Sequence, residues 1–197
     1  MPFAYPVFLE LAGKRAVVIG RNAVAEGKDE ALRQAGAHVD VFADGAWTPS
    51  VLDGAFACVA SSDDPAERDR IARACRERGV LVNVMDDVPN CDFAAPAVVR
   101  RGDLVVAIST GGRSPAVARK IREDLEGRFG REWGEILRVV GEVRAATTSA
   151  LPDLVTRARR WRDALDLEEA SALVRAGRAN ELRRRLTERV LGTGASA

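Results

Sequence analysis

Two adjacent carboxylates, Asp86 and Asp87, follow VLVNVM at residues 80–85, a short run of strand-forming apolar residues. A carboxylate at the end of such a strand stands where an open α/β sheet holds its ligands, and there it can take up or return a proton. The same residue type also caps and turns the chain, so position alone leaves both roles open. Further along, Ser109-Thr110-Gly111-Gly112-Arg113-Ser114-Pro115 places hydroxyls, two glycines and a cation before a helix start. Ser114 is suited to the N-cap and Pro115 to the first helical position, and amides converging there favour a bound anion.

A third cluster, Gly20-Arg21-Asn22-Ala23-Val24-Ala25, occupies the place of a G-x-G-x-x-G/A dinucleotide fingerprint, after one strand and at a helix start. Gly20 suits the tight turn, and Ala25 suits the close helix–strand packing. Asn22 stands where the second glycine would let backbone approach a pyrophosphate, and it brings a Cβ and an amide there. Asn tolerates positive φ, so the turn itself can survive, and Arg21 can compensate by pairing with phosphate. Asp44 lies just past the second strand, about twenty residues on, where a ribose-binding acid is expected; a surface turn acid is the alternative reading.

The elements that must position these groups alternate. Residues 14–20, 38–43, 55–61 and 80–85 read as strands, and 22–35 and 64–78 as helices stopped by Gly36 and Gly79. Ile71, Ala72, Ala74 and Cys75 mark the inner face of the second helix. This rhythm predicts an α/β fold with a Rossmann-like parallel sheet and helices on both faces. The 44–54 connection is too short for a full crossover helix. After residue 85 the pattern becomes a hairpin, with strands over 93–99 and 104–109 and a turn at 100–103, then a helix from Ser114. From Gly130 the chain reads as helical, with breaks at Leu151-Pro152 and Ala176-Gly177. Trp133, Ile136, Leu137, Val140 and Val143 form a predicted buried stripe, and 192–197 a frayed end. The expected division is 1–86 for the dinucleotide-binding domain, 87–129 for a hairpin-plus-helix module and 130–197 for an all-helical C-terminal region.

Asn83-Val84-Met85-Asp86, Phe93-Ala94-Ala95-Pro96 and Ile108-Ser109-Thr110-Gly111-Gly112-Arg113-Ser114-Pro115-Ala116-Val117-Ala118-Arg119, in this order and spacing, resemble the precorrin-2 dehydrogenase family, the N-terminal part of siroheme synthases. The resemblance extends upstream to Tyr5-Pro6-Val7-Phe8-Leu9 and Ser61-Ser62-Asp63-Asp64-Pro65, about two thirds of the chain. It departs at Arg21-Asn22, where the family carries consecutive glycines, and at Gly27-Lys28, where the family tends to Arg-Lys. The resemblance implies NAD-dependent oxidation of precorrin-2 to sirohydrochlorin in siroheme or cobalamin biosynthesis. Some relatives also insert Fe²⁺.

On this resemblance Asp86 is the general acid/base, with Asp87 beside it as the fallback. Gly20, Arg21, Asn22, Ala23, Val24 and Asp44 are expected to hold NAD. Asn83, Ser109, Thr110, Gly111, Gly112, Arg113 and Ser114 are expected to meet the carboxylate-rimmed tetrapyrrole. Arg100, Arg101, Arg119 and Lys120 are either reinforcements or surface charge. Asn83 orients Asp86 or closes a turn. The resemblance also implies a homodimer intertwined through 93–126. No methyltransferase portion is matched, so the chain is not expected to make precorrin-2 itself. Two other readings stay open: a sirohydrochlorin chelatase without the redox step, and a non-catalytic tetrapyrrole-binding protein on the same scaffold.

The 197 residues are 47% hydrophobic and 30% charged with a formal net charge of +1, a balance that gives no reason to expect a nucleic-acid partner. No apolar run has membrane-spanning length, and residues 1–11 lack the pattern of a secretory signal. Cys58, Cys75 and Cys91 are odd in number and widely spaced, so neither a disulfide framework nor a metal site is expected, and a cytoplasmic setting is. His38 is the only histidine and begins a predicted strand, so no His/Cys metal site is expected. The arginines at 157–162 and 183–185 alternate with acids and read as solvated helix faces.

Overall fold

In the computed structural model, which describes residues 5–193, strand β1 (Arg15–Ile19) is buried almost end to end and forms the middle of a parallel sheet. Helix α1 (Ala23–Gln34), β2 (His38–Phe42), β3 (Ala57–Ala60), α2 (Pro65–Glu77) and β4 (Leu81–Val84) complete it, in the strand order β2-β1-β3-β4. The register aligns Val17 with Asp40 and Cys58, and Cys58 with Val82. Side chains therefore alternate between two covered faces. On one face Val17, Ile19, Cys58, Ala60, Val82 and Val84 pack with Ile71, Ala72, Ala74 and Cys75 of α2. On the other, Ala16, Val18 and Val39 pack with Ala25 of α1.

Between β2 and β3 the crossover is reduced to a 3₁₀ turn at Pro49–Leu52, as the short spacing predicts. Arg15 pins it, donating to Asp40 Oδ2 at 2.8 Å and to the carbonyls of Val51 and Asp53 at 2.8 and 2.9 Å. The first two helix starts are capped by side chains. Asn22 caps α1, and Asp64, followed by Pro65, caps α2.

The chain forms two compact units, residues 1–95 with Thr110–Ser114, and Pro96–Ser109 with residues 115–197. The second contains the antiparallel hairpin β5 (Ala97–Arg101) and β6 (Leu104–Ile108), then α3 (Pro115–Arg128), α4 (Glu132–Thr147), α5 (Leu154–Ala164), α6 (Leu167–Arg175) and α7 (Ala179–Leu191). The first hairpin strand starts at Ala97 rather than at 93, because Asn83 and Val82 tie Phe93 and Asp92 alongside β4. The turn is shorter than predicted, since Arg101 pairs with Leu104. Its Gly102 lies where an added Cβ would come within 3.0 Å of Gly134 Cα.

The helical end is broken at the predicted sites and also at Leu165-Asp166, where Asp166 caps α6 by accepting from the amides of Glu168 and Glu169 at 3.0 Å. Ile136, Val139 and Val143 of α4 pack with Ala170, Leu173, Leu182 and Leu186, while Trp133 and Val140 flank that core. Leu137 is only half-buried and Val139 replaces it in the stripe. Residues 194–197 of the predicted frayed end lie outside the described residues.

Candidate functional site

All four sheet strands run parallel, so their carboxyl ends share one edge, and the order β2-β1-β3-β4 reverses between β1 and β3. Open α/β sheets bind ligands at such a reversal. Gly20 ends β1 there with φ 125, and a Cβ on it would stand 2.6 Å from the Ser61 carbonyl oxygen at the end of β3. Only glycine fits. Ala25 is buried under the sheet, so the packing role predicted for it is met.

Asn22 adopts φ −120, ordinary extended backbone, so no positive φ is needed. Its Oδ1 accepts from the Ala25 amide at 2.9 Å, and its Nδ2 donates to Ser61 Oγ at 2.8 Å. The asparagine thus replaces the open glycine position with a side-chain bridge from β1–α1 to β3. Arg21, Ala23 and Val24 are exposed beside it.

Asp44 is exposed just past β2, as predicted. The loop carrying it is braced: Trp47 donates to Glu67 Oε1 at 2.6 Å, and the Arg70 guanidinium lies 3.9 Å over the Trp47 ring. Arg70 also pairs with Glu67. Its hydrogen bonds to Glu67, strongest among several contacts that include Trp47 and the Gly45 backbone, hold the Glu67 carboxyl below its ordinary pKa.

At the end of β4 the two acids separate. Asp86 has φ 57 and is the one non-glycine among the described residues with positive φ. It is exposed, and its carboxylate has no hydrogen-bond or ion-pair partner among the described residues. Backbone this strained persists only where neighbours over-determine it, and here they do. Met85 donates to the Ala60 carbonyl at 2.9 Å, and the Asp87 amide to the Val84 carbonyl at 3.3 Å. The Cys91 thiol donates to the carbonyls of Val84 and Asp87 at 3.0 and 3.3 Å. Asp87 faces inward and accepts from Arg68 Nε and Asn90 Nδ2, both at 3.1 Å. Asp87 therefore clamps the turn that presents Asp86. Asn83 donates to the Phe93 carbonyl at 2.8 Å and to Cys91 Sγ at 3.4 Å, which makes it a tie for the following loop.

Thr110–Ser114 belongs to the same compact unit as these strand ends. Gly111 and Gly112 have φ 62 and 78, two successive left-handed residues that side chains resist. A Cβ on Gly112 would lie 3.9 Å from Val88, in the 3₁₀ turn following Asp87. Thr110 closes the loop on itself, its Oγ1 donating to the Ser114 carbonyl at 3.1 Å and accepting from the Ser114 amide at 3.2 Å. Arg113 is exposed. Ser109 groups instead with the hairpin unit. Three of the four outlying cations have local partners: Arg101 holds the Phe129 carbonyl at 2.8 Å, Arg119 pairs with Glu123 and Lys120 with Asp124.

Ser61 and Arg68 carry roles that the sequence reading did not assign. Ser61 stands in a stretch already matched to the family. Nothing in the spacing announces that Arg68, four residues after the Asp64 cap, reaches back to Asp87.

A free carboxylate and a glycine loop stand in the same unit. Fold and site together define a dinucleotide-binding α/β protein. Residues 7–97 match a family described as putative NAD(P)-binding, and residues 101–128 one described as the central part of sirohaem biosynthesis protein. The chain is 31% identical over 205 residues to siroheme synthase 1 of Pectobacterium atrosepticum, covering 94% of itself and 42% of that protein. It is 33% identical over 189 residues to siroheme synthase 1 of Yersinia enterocolitica, covering 86% of itself and 40% of that protein. The chain thus spans less than half the length of these curated relatives. A solved structure, SirC, precorrin-2 dehydrogenase, shares the fold with a TM-score of 0.73 at 21% identity, over 93% of this chain and 99% of that one. The chain thus pairs a region matching a putative NAD(P)-binding family with one matching the central part of sirohaem biosynthesis proteins, and over nearly its whole length it is similar to part of siroheme synthases.

Proposed function

We propose that this chain oxidises precorrin-2 to sirohydrochlorin, with NAD⁺ as the hydride acceptor. The carrying observation is Asp86: an exposed, unpaired carboxylate on clamped left-handed backbone, in the same unit as the dinucleotide loop. The oxidation removes a hydride and a proton from the reduced macrocycle. Bound NAD⁺ supplies the hydride acceptor, held by the Gly20–Ala25 loop with Asp44 on its ribose. The Asp86 carboxylate takes the proton, a role suited to a base held in place and open to the ligand. Amides and hydroxyls of Thr110–Ser114, with the Arg113 cation, receive the substrate's carboxylates. In this reading residues 1–86 hold the cofactor, 87–129 meet substrate and a second copy in a homodimer, 130–197 complete the helical end, and the protein works in the cytoplasm.

A second reading is favoured by one observation. Asn22 occupies the glycine position and holds the Ala25 amide, so the chain would insert Fe²⁺ into sirohydrochlorin without a redox step. Calorimetric titration of the purified chain with NAD⁺, followed by addition of precorrin-2 and absorbance spectroscopy, separates the two. Binding with appearance of sirohydrochlorin supports the dehydrogenase. Absence of both, with metal insertion into supplied sirohydrochlorin, replaces it with the chelatase.

A further inference from the structure

We propose that Asn22 and Ser61 form a latch across the cofactor crevice, and that the latch sets how tightly this chain takes a dinucleotide. The inference rests on the dinucleotide reading above. Three observations place the latch. The strand order reverses between β1 and β3, so their carboxyl ends flank the crevice in which an open sheet binds its ligand. The Asn22 amide spans those two ends, with Nδ2 2.8 Å from Ser61 Oγ. Its Oδ1 accepts from the Ala25 amide at 2.9 Å, so it occupies a donor at the start of α1, where phosphate oxygens are otherwise received.

The strand ends leave no slack around this bridge. A Cβ on Gly20 would stand 2.6 Å from the Ser61 carbonyl oxygen, so the two strand ends meet this closely only because residue 20 is glycine. The Asn22 side chain is the group that bridges the two strand ends where a pyrophosphate would approach the loop. Both of its hydrogen bonds are to groups within this unit, and both must break for it to swing out. Ser61 is the half of the latch that can be altered without touching the loop or the helix cap.

A typical net hydrogen bond is worth about 0.5–1.5 kcal/mol, so release of the Ser61 half is expected to tighten NAD⁺ binding about 2- to 10-fold. The test is calorimetric titration of the full chain with NAD⁺ in four forms: wild type, Ser61→Ala, Asn22→Gly, and the double variant. The expected result is tighter binding by S61A, a larger gain by N22G, and no added gain from S61A in the N22G background, where the bridge no longer exists. Asn22→Ser, which retains a capping oxygen, replaces N22G if thermal melts show that glycine unfolds α1. Unchanged or weaker binding in S61A and N22G overturns the latch, because the amide then leaves the phosphate alone or helps to hold it. Failure of every form to bind overturns the latch and the dinucleotide reading together. Binding by wild type without gain in the variants overturns the latch alone.

Discussion

Substitution of Asp86 separates what its backbone costs from what its carboxylate does. At φ 57 a residue with a Cβ is disfavoured by about 1–2 kcal/mol relative to right-handed backbone, and glycine escapes that cost. Glycine loses about 0.5–1 kcal/mol more conformational freedom than alanine on folding. The difference predicts that Asp86→Gly is more stable than Asp86→Ala by about 0.5–1 kcal/mol, the reverse of the order at an ordinary exposed site. Asp86→Asn, which visits the left-handed region at least as readily as aspartate, should match wild type or slightly exceed it. The side chain has no partner among the described residues, so no lost contact clouds the comparison. Urea denaturation of the four proteins at pH 7 measures the order. Turnover of precorrin-2 measures the carboxylate, and all three variants should fall by about 10²–10⁴, the usual contribution of a positioned base. Alanine more stable than glycine would refute the strained turn. Wild-type turnover by Asp86→Asn would remove Asp86 from the chemistry.

Other perturbations test the frame around that residue. Gly20→Ala drives a Cβ to 2.6 Å from the Ser61 carbonyl and should cost about 2–4 kcal/mol in urea melts while weakening NAD⁺ binding. Asp87→Ala leaves the Arg68 guanidinium without its carboxylate and should destabilise by about 1–3 kcal/mol. Its turnover should fall less than that of Asp86→Asn when both are assayed below their unfolding transitions. Glu132 bridges α4 to α6, and its carboxyl is held below its ordinary pKa by the Arg175 guanidinium first and the Ser171 hydroxyl after it. The stability from that depression is fully present above the unfolded-state value of about 4.3 and is lost as pH falls through the lower folded value. Glu132→Gln should therefore flatten the acid limb of stability measured by urea melts from pH 7 to pH 3.

The strand and helix order of the first unit was legible because each element carries its own signal. Buried β1 is a continuous apolar run, α2 has Asp64-Pro65 at one end and Gly79 just past the other, and the short 44–54 connection excludes a crossover helix. The candidate acids were legible for the same local reason, since a strand followed by Asp-Asp announces where carboxylates stand. What they do there was not. The choice between Asp86 and Asp87 depends on Arg68, nineteen residues upstream of Asp87, and on the Cys91 thiol that folds back onto the turn. Periodicity does not encode such long-range ties. The same holds for Asn22, whose partner Ser61 lies thirty-nine residues away across the sheet. The missed break at Leu165-Asp166 has a smaller cause. Asp166 caps α6 directly after α5 ends, and no glycine or proline marks the place.

The different placement of the two acids follows from one backbone angle. On a regular strand successive side chains point to opposite faces, so continuing β4 through residue 87 would have set the two carboxylates on opposite sides of the sheet. The left-handed step at Asp86 breaks that alternation. It turns Asp87 inward to Arg68 and Asn90, and it leaves Asp86 projecting at the carboxyl edge. The clamp and the exposed acid are therefore one device: the ion pair at Asp87 offsets the strain at Asp86, and neither position is explained without the other. On this argument Asp87→Ala should also let the turn relax, so that an added Asp86→Gly stabilises it by less than in the wild-type background. A double-mutant cycle in urea would read this as a coupling of about 0.5–1 kcal/mol, and strict additivity would show that the two acids share a turn but not a function.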